Sequence, residues 1–109
     1  MKALITTLSE ILPVCPFEAP QGTRVPYGIY VKSVSPVRTK NGIVGYDGSV
    51  TISIYAGTIE AVERIAEQII ATLDNITLDG YSYYYDSSSE ESYSDIGLIQ
   101  KDLTFNILK

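Results

Sequence analysis

The stretch SVTISIYAGTIEAVERIAEQIIATLD, residues 49–74, constrains the fold more than any other part of this sequence. Its first part alternates between apolar and polar residues, which is the period of a β-strand with one buried face. From Ile59 to Leu73 apolar residues recur every three or four positions, as in an amphipathic helix. Thr58 is suited to cap this helix, and Glu60 lies in the first turn, where the helix dipole favours a carboxylate. We therefore expect a strand and a helix that share one hydrophobic core.

The rest of the chain divides into shorter segments of the same two kinds. Apolar residues with helical spacing open the chain, and Pro13 ends that first helix. A proline-rich connection follows, and then an alternating strand over 26–35. We interpret 37–47 as a loop or protruding arm, because Asn41-Gly42 and Asp47-Gly48 are turn dipeptides. The residues predicted to face the core in these and the central segments are Leu4, Ile5, Leu8, Ile11, Leu12, Val50, Ile52, Ile54, Ala56, Ile59, Val62, Ile65, Ala66, Ile69 and Leu73.

A run rich in tyrosine, serine and acid, DGYSYYYDSSSEESYSD, occupies 79–95. Alternation places Tyr81, Tyr83 and Tyr85 on one face of a strand. The polar residues 87–91 are interpreted as the turn of a hairpin. The last strand follows, with one face formed by Leu103, Phe105 and Ile107.

The resulting order is helix, strand, strand, helix, strand, strand. It predicts an α+β fold in which an antiparallel sheet of about four strands has helices packed on one face. The 109 residues fit a single domain, 1–109.

The composition restricts the chemistry available to this chain. It has no histidine and only one cysteine, Cys15, so it can build neither an ordinary catalytic triad nor a Cys/His zinc site. The first fifteen residues are interrupted by Ser9 and Glu10, which is typical of an amphipathic helix and not of a signal peptide. No apolar run reaches the length of a membrane span. We predict no catalytic residue, no cofactor, no metal site and no membrane association.

Charge is unevenly distributed along the chain. Residues 1–57 carry five basic and three acidic side chains, whereas 58–95 carry nine acidic side chains and only Arg64. The basic residues Arg24, Lys32, Arg38 and Lys40 follow one another without an intervening acid. They could contact phosphate or an acidic partner, or simply be solvated on a hairpin. The tyrosine run leaves a different function open, a small-ligand or carbohydrate-binding module that uses a tyrosine-rich sheet face.

The order of motifs resembles the small phage tail-completion proteins, the tail-terminator group of siphophages that includes the phage lambda protein. The segments that carry the resemblance are PYGIY at 26–30, ISIYAGTIEAVERIA at 52–66 and the final DLTFNI at 102–107. Together they extend over nearly the whole chain. None of them is a catalytic motif.

The resemblance implies a structural protein of a phage or prophage tail. Such proteins form a homo-oligomeric ring, commonly a hexamer, that caps the tail tube and provides the head–tail joining surface. The implied partners are the tail-tube protein and the head-connector protein, and DNA would pass through the ring without sequence-specific binding. The implied location is the virion tail, after assembly in the cytoplasm of the bacterial host.

Contacts in such a ring are heterologous, so one face of each subunit must complement a different face of the next. We therefore expect Arg38 and Lys40 to contact acidic residues of a neighbouring subunit, with Glu90 and Glu91 as candidates. Tyr84, on the opposite face of its strand from the other tyrosines, is a further interface candidate. We also expect acidic residues to line the lumen, so that DNA passes without adhering.

Overall fold

The computed structural model describes residues 2–16, 25–93 and 97–109, which form two helices and six strands. The helices are α1 (Lys2–Ser9) and α2 (Ile59–Leu73). The strands are β1 (Val14–Pro16), β2 (Tyr27–Thr39), β3 (Gly42–Ala56), β4 (Ile76–Leu78), β5 (Tyr81–Tyr93) and β6 (Leu98–Leu108). All six strands belong to one sheet in the order β1-β2-β3-β6-β5-β4.

The predicted fold class, α+β with about four antiparallel strands, is wrong. The chain is mostly β, and its sheet is mixed, because β1 pairs with β2 in parallel while the other neighbouring strands are antiparallel. The strands β1 and β4 have three residues each, too few for alternation to reveal them. Four strands of 11 to 15 residues then dominate two helices of 8 and 15 residues.

The hydrophobic core lies between the helices and one face of the sheet. The alternation predicted for β3 and β6 is confirmed, and so is most of the apolar stripe of α2. Ile59 is the exception, since 58% of it is exposed at the start of the helix. Each fully buried aliphatic side chain contributes roughly 1.5–3 kcal/mol of transfer free energy. The buried core residues are Leu4, Leu8, Leu12, Tyr30, Val50, Ile52, Ile54, Ala56, Val62, Ile65, Ala66, Ile69, Leu73, Tyr83, Leu103, Phe105 and Ile107.

Helix α2 is fixed to the sheet by polar contacts as well as by packing. The Thr58 hydroxyl accepts a hydrogen bond from the Ala61 N–H at 3.1 Å, which confirms the predicted N-cap. The ammonium group of Lys101 on β6 donates to a Glu63 carboxylate oxygen at 3.1 Å. Lys101 is only 15% exposed, so this ion pair forms partly under the helix. The hydrogen bond and the charge of Lys101 lower the pKa of Glu63 from its ordinary value of 4.5.

The Glu63–Lys101 pair predicts a pH-dependent term in stability. A carboxyl with a lowered pKa in the folded state stabilises the fold above its unfolded pKa, and this contribution disappears as pH falls through the folded value. We expect Glu63→Gln to be less stable than the original chain at neutral pH, and the difference to shrink as pH falls below 4.5 and through the lowered pKa of folded Glu63. Urea unfolding at about pH 7 and about pH 3 measures this. Glu67→Gln, an exposed position on the same helix, is the control, and an equal pH dependence in both variants would contradict the prediction.

Two predicted turns are strands in the structure. The turn of the β2–β3 hairpin lies at Lys40 and Asn41, and Gly42 has a φ of 114°. The dipeptide Asp47-Gly48 instead lies inside β3, paired with β2, so most of the predicted loop 37–47 is strand. The segment 87–91 is likewise not a turn, because all of it pairs with β6 as part of β5. A register shift between Tyr85 and Ser87 marks a β-bulge in this strand.

Candidate subunit interface

The end of the β2–β3 hairpin forms an arm, defined here as residues 35–46. The contacts of β3 with β6 end, toward the hairpin tip, at the pair Asp47 and Leu108, and Tyr46 hydrogen-bonds with Lys109 just past it. From there to the tip, β2 is the only partner strand of β3 within the described residues. Residues 35–44 are all exposed. The described chain is correspondingly elongated, with dimensions of 54 × 25 × 23 Å.

The tip of the arm is both basic and apolar. Arg38 and Lys40 are exposed there, and the arm contains no acidic residue. Three aliphatic side chains lie nearby and are also exposed: Val37 at 39%, Ile43 at 48% and Val44 at 63%. Basic residues were predicted on the arm, but this apolar patch was not. The β-branched residues on both sides of the Asn41-Gly42 turn would have indicated it, since they have no core to face there.

The acidic candidates lie at the other end of the sheet. Glu90 and Glu91 are exposed on β5, opposite Lys101 and Gln100 of β6. Glu63 of α2, which pairs with Lys101, lies beside Glu90.

The two charged groups are too far apart to meet within one subunit. Glu90 pairs with Lys101 of β6, which in turn pairs with Ile54 of β3, so Glu90 lies at the level of Ile54 along the strands. Arg38 pairs with Ile43 of β3 and lies at that level. At about 3.3 Å per residue along β3, these levels are about 36 Å apart. Glu90 and Glu91 are adjacent on β5 but point to opposite faces of the sheet. A contact between either of them and Arg38 or Lys40 therefore requires a second molecule.

Lys32 was also among the predicted basic residues, but its ammonium group already has a contact within the subunit. Its ammonium group lies 4.2 Å from the centroid of the Tyr81 ring. Burial lowers the pKa of Lys32, and the nearby Asp79 partly offsets that effect. Lys109 approaches the same ring at 5.0 Å. Arg24 lies outside the described residues.

The tyrosine run does not form an open binding platform. Tyr83 is 1% exposed, and Tyr81 and Tyr85 pack against the core cluster on the same face. Tyr85 contacts Phe105 in an edge-to-face geometry, with 5.7 Å between the ring centroids. Tyr84 points the other way and is 39% exposed, as expected for an interface candidate, but no contact in the structure tests that role.

The sheet face away from the helices has its own chemical character. The register of the four long strands places on this face Tyr27, Tyr55, Ser53, Thr51, Asp47, Gln100, Asp102, Thr104, Asn106, Tyr84, Ser89 and Glu91, among others. Tyr27 and Tyr55 stack with their centroids 4.9 Å apart. Burial raises the pKa of the Tyr55 hydroxyl, and the charge of Asp102 raises it further. Every charged side chain that these strands place on this face within the described residues is acidic.

Within the described ranges, no three His, Cys, Asp or Glu side chains cluster closely enough to hold a metal ion. Cys15 is a free thiol of intermediate burial. In the same part of the chain, neither helix has the length and apolar character that crossing a bilayer requires.

Comparison with known proteins reveals a similarity of fold. No protein-family model matches this sequence, and a search of curated proteins finds no match. Among solved structures, the fold is similar to that of a chain in the virion of a native gene transfer agent (GTA) particle, with a TM-score of 0.73. The alignment covers 98% of this chain and 91% of that chain at 14% sequence identity. At this identity the similarity establishes a shared fold.

Proposed function

We propose that this chain is a non-enzymatic structural protein of a phage-like particle. The observation that carries the proposal is the fold similarity to a chain of a GTA virion particle, which extends over 98% of this chain. It agrees with the family resemblance noted in the sequence. The absence of histidine, together with no metal-binding cluster in the described residues, offers nothing in favour of an enzyme.

Within such a particle, the proposed role is a ring that caps the tail tube and provides the head–tail joining surface. Subunits in a ring meet through two different surfaces. The basic arm tip and the acidic end of β5 supply two such surfaces, about 36 Å apart in one subunit along β3. The neighbours of the ring would be the tail-tube protein and the head-connector protein, and its location the virion.

The sheet face away from the helices is the proposed lining of the ring. Its charged residues in the described strands, such as Asp47, Glu91 and Asp102, would repel the phosphates of passing DNA. A ring in which this face points outward, or whose lumen is basic, would contradict this part of the proposal.

The function is tested in the cells that produce the particles. We expect mass spectrometry of purified particles to detect this chain, and deletion of its gene to leave heads and tubes that do not join. Complementation by the intact gene should restore joined particles. If the chain is absent from the particles and deletion leaves them unchanged, the proposed function is wrong.

A further inference from the structure

Two long stretches of strand edge have no partner strand within the described residues. β1 pairs with β2 only at 28–30, and β4 pairs with β5 only at 81–83. The outer edges of β2 over 31–39 and of β5 over 86–93 therefore pair with no strand of the described chain. An exposed edge of this length is a template for pairing with another strand.

The backbone groups on the open edge of β5 can be assigned from its hydrogen bonds. The Asn75 N–H donates to the Tyr83 carbonyl at 2.8 Å on the outer side of the strand. Backbone groups of successive residues point to alternate edges, and the bulge before Ser87 shifts this alternation by one residue. The residues whose N–H and C=O groups point outward beyond the bulge are therefore Ser88, Glu90 and Ser92.

The open edge of β2 has outward-facing groups at alternate positions too. The Gly28 N–H donates outward to the Pro13 carbonyl at 2.8 Å, so even-numbered residues of β2 face this edge. Pro36 occupies one of these positions and has no N–H to donate. On β5, residues 86–93 include neither proline nor lysine, the residues that commonly protect an edge.

We propose that the open edge of β5 pairs with the open edge of β2 from a second copy of this chain, so that the sheet continues from one subunit into the next. This rests on the proposed ring and names the contact that would build it. The strands β2, β3, β6 and β5 alternate in direction, so β2 and β5 are antiparallel. A neighbour in the same orientation therefore presents its β2 antiparallel to β5, and the contact is heterologous, as a ring requires.

Length and charge favour this occupant. The open edges contain nine residues on β2 and eight on β5. Arg38 on the incoming strand and Lys40 in the adjoining turn carry the basic charge of the arm, while Asp86, Glu90 and Glu91 make the receiving strand acidic. The same pairing would thus bring the predicted basic and acidic candidates onto adjacent strands.

The pairing also predicts a stagger between neighbours. Cross-strand partners share a face, so Ser35 at the centre of the open edge of β2 lies opposite an odd-numbered residue of β5. Opposite Glu91, it places Arg38 across from Ser88 and diagonal to Glu90. Ser35 is level with Asp47 of β3, whereas Glu91 is level with Tyr55. This alignment shifts the neighbour by about 26 Å along the strands. Strands that tilt relative to the ring axis accommodate such a shift, as they do in closed barrels.

Ser88→Pro tests the pairing, with Ser88→Ala as its matched control. Proline removes the outward N–H of residue 88, whereas hydrogen bonds to β6 come from Ser87 and Ser89, so the monomer should fold. In light scattering over a concentration series, we expect Ser88→Pro to weaken self-association at least about tenfold, which corresponds to 1.4 kcal/mol. Ser88→Ala should assemble like the original chain. Circular dichroism checks that both variants are folded.

Cysteine cross-linking gives a second measurement that does not depend on proline. In a Cys15→Ser background, Ser35→Cys is combined in turn with Ser89→Cys and with Glu91→Cys, since these side chains share the face away from the helices. We expect one combination to give a ladder of disulfide-linked oligomers on oxidation, and the control Ser35→Cys with Gln68→Cys on α2 to give none.

Equal assembly of Ser88→Pro and Ser88→Ala, or no ladder above the control, would overturn the edge pairing. So would an original chain that stays monomeric and does not cross-link up to about 1 mM. These results would not show whether the chain is part of the particle. The proposed function is tested separately, by mass spectrometry of purified particles and by deletion of the gene.

Discussion

Alanine at position 48 should severely destabilise this protein. Gly48 lies in β3 beside the backbone of β2, and a Cβ built there overlaps the carbonyl oxygen of Ser33 and lies 2.8 Å from the Cα of Val34. Both neighbours are backbone atoms, so no side-chain rotation can relieve the overlap. We expect Gly48→Ala to cost at least about 3 kcal/mol, from a total stability of about 5–15 kcal/mol for a domain of this size.

Urea unfolding of the purified variants measures this loss. Gly57→Ala is the matched control, because a Cβ at position 57 has nothing within 4 Å. It should change stability by less than about 1 kcal/mol. Equal stabilities for the two variants would show that β2 and β3 are not this close at Gly48. Because Gly48 lies at the base of the arm, a shift here would also displace residues 35–46.

The same glycine explains an error in the sequence prediction. Asp-Gly is a favoured turn dipeptide, which is why the sequence predicts a turn at Asp47-Gly48. Gly48 instead allows the backbones of β3 and β2 to pack closely at Ser33 and Val34, residues that are distant from it in sequence. By contrast, Asp79-Gly80 is a true two-residue turn between β4 and β5, with φ values of 54° and 82°. The local sequence alone does not distinguish these two uses of glycine.

Polar strands were the second source of error. Residues 87–91 are serine and glutamate, a composition typical of a turn. They form a strand because β6 supplies a continuous partner, and because they lie at the exposed part of the sheet, where no apolar face is needed. Where one face is buried, as at Val50–Ala56 in β3 and throughout α2, periodicity predicted the element correctly.

The candidate interface was predicted in part. The charge distribution identified Arg38 and Lys40 on one segment and Glu90 and Glu91 on another, and the structure keeps these groups apart within the subunit. The open strand edges seen within the described residues could not be predicted, because they arise where the described parts of β1 and β4 are shorter than the strands they pair with. An edge is a property of the whole sheet, and no single segment of sequence encodes it.

Reversing the charge of the arm should have the largest effect on assembly. The double variant Arg38→Glu/Lys40→Glu replaces two exposed cations and leaves the core unchanged. If the arm meets Glu90 and Glu91 of a neighbour, the substitution places like charges together, which costs several kcal/mol. We expect self-association at low salt to weaken by more than about a hundredfold. Light scattering over a concentration series, at low and high salt, measures the change.

The salt dependence and a charge swap separate this contact from a general effect of net charge. Added salt should weaken assembly of the original chain, because it screens attraction between opposite charges, and should partly restore the double variant. Glu90→Lys/Glu91→Lys should restore assembly when combined with Arg38→Glu/Lys40→Glu, since the attraction is then rebuilt with reversed signs. Arg64→Glu, an exposed reversal on α2, is the control and should leave association nearly unchanged. An assembled mass that is the same for the original chain and the arm variant would show that Arg38 and Lys40 lie outside the contact.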